Sequence, residues 1–206
     1  MKRFAKSTLF FLVAVCFAWS AFFTDSFAQR RRSAGGGGSA QRVAENVTGD
    51  TFEYSAETPR GAHIRSVSRP RAEALRAIDD GLARLFAIAR KNNYRARTNY
   101  FDYTIFIARP DRTQNGQGGY SPDIAVGAGQ YGGSRYDQGG YVYAAGMVIS
   151  LEPCAFVIAE HNRNWNRVSD AVRFEGEHLV LYHNDRARFQ ATLDHSRGGG
   201  GHPILK

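Results

Sequence analysis

The chain has 206 residues, 43% hydrophobic and 22% charged, with 22 Gly, 6 Pro and a formal charge of +8. This composition excludes a collagen-like or wholly disordered polypeptide, and the length fits one domain with a sizeable core while leaving little room for two. A basic balance favours anionic partners but names no substrate.

At the N-terminus, Lys2, Arg3 and Lys6 precede an apolar run over 9–19, and the small residues Ser26 and Ala28 follow it. This is the pattern of a secretory signal peptide over 1–28, cut before Gln29, because the run is shorter than the roughly 20 residues that span a bilayer. Its loss removes Lys2, Arg3, Lys6 and Asp25 and takes the charge from +8 to +6. The expectation is a secreted or periplasmic protein with no transmembrane helix in the mature chain, held near a cell-envelope polymer or another secreted chain. Cys16 leaves with the signal, so Cys154 has no internal disulfide partner and is expected to be buried in the apolar stretch 154–158.

Residues 29–65 carry Arg30, Arg31 and Arg32 and the glycine run 35–38, and they read as a flexible basic, Gly-rich spacer. A single globular domain is expected over 66–206. Within it, Leu75, Ile78, Leu82, Leu85, Phe86 and Ala89 recur at helical spacing, so 70–91 is expected to be an amphipathic helix with Ser68 as cap. The aromatic and β-branched stretch 100–107 reads as a strand ending before Pro110. A Gly-rich connection over 111–140 carries Tyr120, Tyr131 and Tyr136 around a short strand at 124–126. Strands at 141–151 and 154–159 then flank Glu152 and Pro153.

The order of elements gives an α+β fold, with an N-terminal amphipathic helix packed on an antiparallel sheet and a further C-terminal helix. That last helix is one of two readings of 168–185. A stripe of Val168, Ala171, Val172, Glu175, His178, Leu179 and Tyr182 favours it, while a strand over 178–182 is the alternative.

Five of the six histidines, His161, His178, His183, His195 and His202, fall in the last quarter of the chain. Histidine is the commonest protein ligand of transition metals and an acid–base group near neutral pH, so the cluster marks candidate chemistry. On the helical reading, Phe174, Glu175, Gly176, Glu177 and His178 resemble the HExxH helix of the zincins, a family of zinc metallopeptidases, with Phe174 at the first histidine position. The resemblance implies a zinc-dependent hydrolase with Glu175 as general base and His178 as a metal ligand, and further ligands drawn from His183, His195 and His202. His178 and His183, five residues apart, point about 140° from each other on a regular helix. Glu177, Asp185 and His161 are additional donors.

Two other functions fit the same residues. A non-enzymatic extracytoplasmic binding or structural module would use the histidines only for hydrogen bonds, with Glu175 and His178 as a hydrogen-bonded pair on a half-buried helix. A small secreted ribonuclease would use Glu177 and His195 as its acid–base pair. The segment 160–167, with Asn162, Asn164, Asn166, Arg163 and Arg167 around Trp165, reads equally as a turn or as a stacking site for a sugar or nucleotide.

Overall fold

The computed structural model describes residues 38–109, 124–127, 141–192 and 205–206. The expected signal peptide over 1–28, most of the Gly-rich connection, His195 and His202 lie outside the described residues.

The first described element is helix α1, Gly38–Thr48, followed by strands β1, Tyr54–Glu57, and β2, His63–Ser66. The expected spacer is therefore folded from Gly38 onward. Its core-facing residues are small: Ala40 and Ala44 are buried, with Val43 and Val47 packed beside them at helical spacing. A stripe of alanine and valine in a polar stretch carries a weak hydropathy signal. The strands are short, and only β2 alternates cleanly, with Ile64 and Ser66 inward.

Helix α2 spans Ala72–Lys91 and begins after Arg71, which makes no side-chain cap, so Ser68 does not serve as one. Its inward stripe is the expected one, including Ile78, Leu82, Leu85, Phe86 and Ala89. A short 3-10 turn, Tyr100–Asp102, replaces the start of the expected strand, and β3 runs Tyr103–Ala108. The expected strand over 141–151 is divided. Strand β4, Ile124–Gly127, pairs with β5, Tyr141–Ala144, in a separate two-stranded sheet, while β6, Gly146–Ser150, joins the main sheet beside β7, Cys154–Ala159. Helix α3, Trp165–Asn184, settles 168–185 as helical, and the short α4, Arg186–Ala191, follows it.

The fold is α+β, with a main sheet ordered β1-β2-β3-β7-β6. This sheet is mixed rather than antiparallel: β1–β2 and β6–β7 are antiparallel, but β2–β3 and β3–β7 are parallel. The reason is connectivity, since a helix between β2 and β3 returns the chain to the same end of the sheet before the next strand starts.

Side-chain alternation makes two cores. Ile64, Ile105 and Phe156 lie on one rung and face α2 and α3, while Phe106 and Val157 on the next rung lie with Ala40, Ala44 and Phe52 beneath α1. Both faces of β7 are covered, and all six of its residues are buried. No helix among the described residues is long and apolar enough to cross a membrane.

Candidate functional site

Helix α3 carries Glu175, Glu177, His178 and His183, and it starts at a tight turn. Asn164 caps it by accepting a hydrogen bond from the Arg167 N–H at 3.2 Å. Just before the cap, His161, Asn162 and Arg163 all take left-handed backbone angles, with φ of 47°, 53° and 65°. Three consecutive non-glycine residues there cost about 1–2 kcal/mol each. The Arg163 N–H bonds the Glu160 carbonyl, the Asn164 N–H bonds that of His161, and Arg167 Nε donates to Nδ1 of the buried His161 at 3.3 Å. Segment 160–167 is thus a turn built to start α3, and Trp165 packs on the core.

Glu175 sits against the edge strand of the main sheet. A methyl built on Gly146 of β6 would stand 2.8 Å from Glu175 Cγ, so glycine is what lets the carboxyl approach the strand. Burial pushes the Glu175 carboxyl up to about 8, and a hydrogen bond from the Val148 N–H opposes part of that rise. The strand is irregular there, with a register shift between Val148 and Ser150.

One helical turn further on, His178 is buried, and its Nδ1 lies 2.7 Å from Thr192 Oγ1 at the end of α4. Glu175 and His178, at i and i+3, are neighbours on one helix face. Glu177 points elsewhere. It is fully buried, its Oε1 accepts from the Leu205 N–H at 3.3 Å, and Arg173 of the preceding turn donates to the Leu205 carbonyl at 2.9 Å.

His183 does not join Glu175 and His178. It lies about 7.5 Å further along the helix axis than His178. Its Nε2 donates to the Leu151 carbonyl at 3.0 Å, with Glu152 Oε2 at 3.5 Å and Cys154 Sγ at 3.7 Å. Cys154 is buried as expected, and burial pushes its thiol up to about 12 despite the opposing Arg97 guanidinium. Arg97 in turn forks onto both oxygens of Glu152. This cluster ties the β6–β7 turn to α3, and its thiol is not an activated nucleophile.

Of the two described histidines expected to hold metal, His178 and His183, the structure brings only His178 beside Glu175. Among the described residues, no three histidine, cysteine, aspartate or glutamate side chains are arranged to hold a metal ion. Sequence reasoning missed Thr192, Gly146 and the Val148 N–H, since each meets its partner only through the tertiary fold. No protein-family model, curated protein or solved structure matches the chain, so the site stands on its own geometry.

Proposed function

We propose that the protein is an exported, zinc-dependent hydrolase of zincin-like kind, with Glu175 as general base and His178 as a metal ligand. The observation that carries this reading is the pairing on one turn of α3 of a carboxyl with an elevated pKa and an imidazole whose Nδ1 is already held. Ligand histidines ordinarily have their second ring nitrogen fixed by a hydrogen bond of this sort, so His178 fits the group.

Phe174 gives this turn one imidazole instead of two, so the remaining donors come from outside the helix. Chain length supports His195 and His202. Thr192 touches His178 and Leu205 is bonded to Arg173 and Glu177, so the two described residues that flank 193–204 are held beside this turn. Three residues span at most about 11 Å, which is the chain separating each histidine from its anchor. His183, engaged with Leu151, is not part of the proposed set.

Zinc, when bound, lowers the pKa of a coordinated water and polarises the bond to be cleaved. Glu175 receives the proton of the attacking water. The Val148 N–H would hold the carboxylate in place as it does so, and a carboxyl pushed up to about 8 is a stronger base, once ionised, than an ordinary carboxylate. The basic charge of +6 after signal removal and the export pattern give the setting.

Elemental analysis of the exported, purified protein tests the reading. One equivalent of zinc is expected, lost in His178→Ala and retained in Glu175→Gln. The Glu175→Gln protein should no longer cleave a mixed peptide library that the wild type cleaves. A wild-type protein that holds no zinc after incubation with it overturns the proposal.

A further inference from the structure

Helices α2 and α3 both run back from the carboxyl ends of the parallel strands to their amino ends. Arg71, just before α2, pairs with Glu160, just before the turn into α3, and the Arg95 and Ala96 N–H groups after α2 bond Asn184 at the close of α3. One end of the molecule therefore gathers the last turn of α2, the loop 92–99, the 3-10 turn before β3 and the start of α4. Arg188 Nη1 donates to Asn92 Oδ1 at 3.2 Å and Tyr94 Oη donates to Asp185 at 2.8 Å, which fastens α4 to that loop. Arg90, Lys91, Arg95, Arg186 and Arg188 are all exposed there. The acids of this end are already paired: Asp185 with Arg188, and Asp102 and Glu152 with Arg97. Arg90, Lys91, Arg95 and Arg186 have no ion pair among the described residues, and the Arg186 guanidinium lies 3.4 Å from the centroid of the Tyr182 ring. Phe101, beside Asp102, is 65% exposed, which makes it the most exposed large apolar side chain among the described residues.

We propose that this end of the protein docks on an anionic lipid bilayer, with Arg90, Lys91, Arg95 and Arg186 against the phosphate headgroups and the Phe101 ring inserted among them.

Charge complementarity selects an anionic partner, and the phenyl ring selects among anionic partners. Arg90 and Lys91 also offset the dipole at the end of α2, but Arg95 sits in a loop and meets no such demand. A soluble polyanion would engage the cations and leave the Phe101 ring in water. A bilayer surface takes both, because basic side chains meet its phosphates while a neighbouring aromatic ring buries at the acyl boundary. The cations are carried on a rigid frame: the loop 92–99 is bonded to α3 and α4, and the Arg186 guanidinium is stacked on Tyr182. The zinc reading plays no part in this surface, which lies at the opposite end of α3 from its capped start.

Co-sedimentation of the exported, purified protein with phosphatidylcholine vesicles, plain or carrying about a quarter phosphatidylglycerol, tests the proposal. Binding is expected to the anionic vesicles only and to weaken with added salt. Arg95→Ala should lower the affinity about fivefold and Phe101→Ser about tenfold. Arg69→Ala removes an equal charge from the carboxyl end of the strands and should leave binding unchanged. All three substitutions are at exposed positions, and circular dichroism checks each fold. Arg30, Arg31 and Arg32 are present in every variant, so the differences report the patch and not the basic N-terminal run.

A wild type that stays in the supernatant with anionic vesicles overturns the proposal, whether or not it binds single-stranded RNA or polyphosphate. Wild-type affinity in Phe101→Ser overturns it as well, since charge alone would then account for the binding. An equal loss in Arg69→Ala and Arg95→Ala would place the attraction in the overall charge and remove this end of the molecule as the docking surface.

Discussion

Gly81 of α2 lies so close to Ser169 of α3 that a methyl group at Gly81 would stand 2.5 Å from the Ser169 carbonyl oxygen and 2.8 Å from the Val172 side chain. The two helices cross at this point, and glycine is what allows them to approach. Gly81→Ala gains about 1 kcal/mol of helix propensity but forces the helices apart, because the obstruction is backbone. A net loss of about 1–3 kcal/mol is expected in urea unfolding. Gly176 is the counterpart on α3, where a methyl would meet Leu85 Cδ2 at 2.5 Å. Here the obstacle is the end of a side chain that can rotate, so Gly176→Ala should stay within about 1 kcal/mol of wild type. Equal losses in the two variants would contradict this contrast.

The carboxyl of Glu175, a half-buried residue pressed against β6, makes stability depend on pH in a definite direction. It titrates near 4.5 in the unfolded chain and at about 8 in the folded one, so between these values the folded state binds the additional proton. Its contribution is intact below about 4.5 and is lost as pH rises through about 8. The metal-free wild type should lose stability over this window relative to Glu175→Gln, with a difference in slope of at most about 1.4 kcal/mol per pH unit. Parallel pH profiles of the urea midpoint for the two proteins would show that the carboxyl is not held as described.

Cys154 should be chemically silent while the protein is folded. With its thiol pushed up to about 12, the thiolate fraction at pH 8 is roughly 10³-fold below that of a thiol at its ordinary value. Reaction with a disulfide reagent is expected to be slow in native buffer and fast in urea. Rapid native labelling at a rate typical of an exposed thiol would refute the burial argument.

Asn184 closes α3 with a fully used side chain. Its Oδ1 accepts from the N–H groups of Arg95 and Ala96, both at 3.0 Å, and its Nδ2 donates to the carbonyls of Ala96 at 2.9 Å and Val180 at 2.8 Å. Asn184→Asp keeps the shape but turns two donors into an oxygen facing two carbonyls. A loss of about 1–3 kcal/mol is expected by thermal or urea unfolding, comparable to or larger than that of Asn184→Ala.

Long apolar periods were legible in the sequence. The α2 stripe and the strands β3 and β7 emerge within a residue or a few of their expected bounds, because burial there is repeated at a regular spacing. Helix α1 was not legible, since its buried face is Ala40 and Ala44, whose small side chains barely register against Gln41, Arg42 and Glu45. The glycines of α2 and α3 read as weak points in the sequence and turn out to be contact points between helices. Sheet direction was missed because strand order depends on where α2 and α3 dock, and no strand carries that information alone.

By itself the sequence determined the amphipathic face of α2 and the burial of Cys154, which follow from local periodicity and side-chain chemistry, while it left 168–185 open between helix and strand. Only the tertiary structure decided which of these groups share a neighbourhood. It took His183 to the β6–β7 turn, gave Glu177 to the chain end at Leu205, pressed Glu175 against Gly146, and returned Thr192 to His178. The physical reason is that each such meeting joins atoms from separate elements, set by helix docking and strand register, which no local spacing encodes.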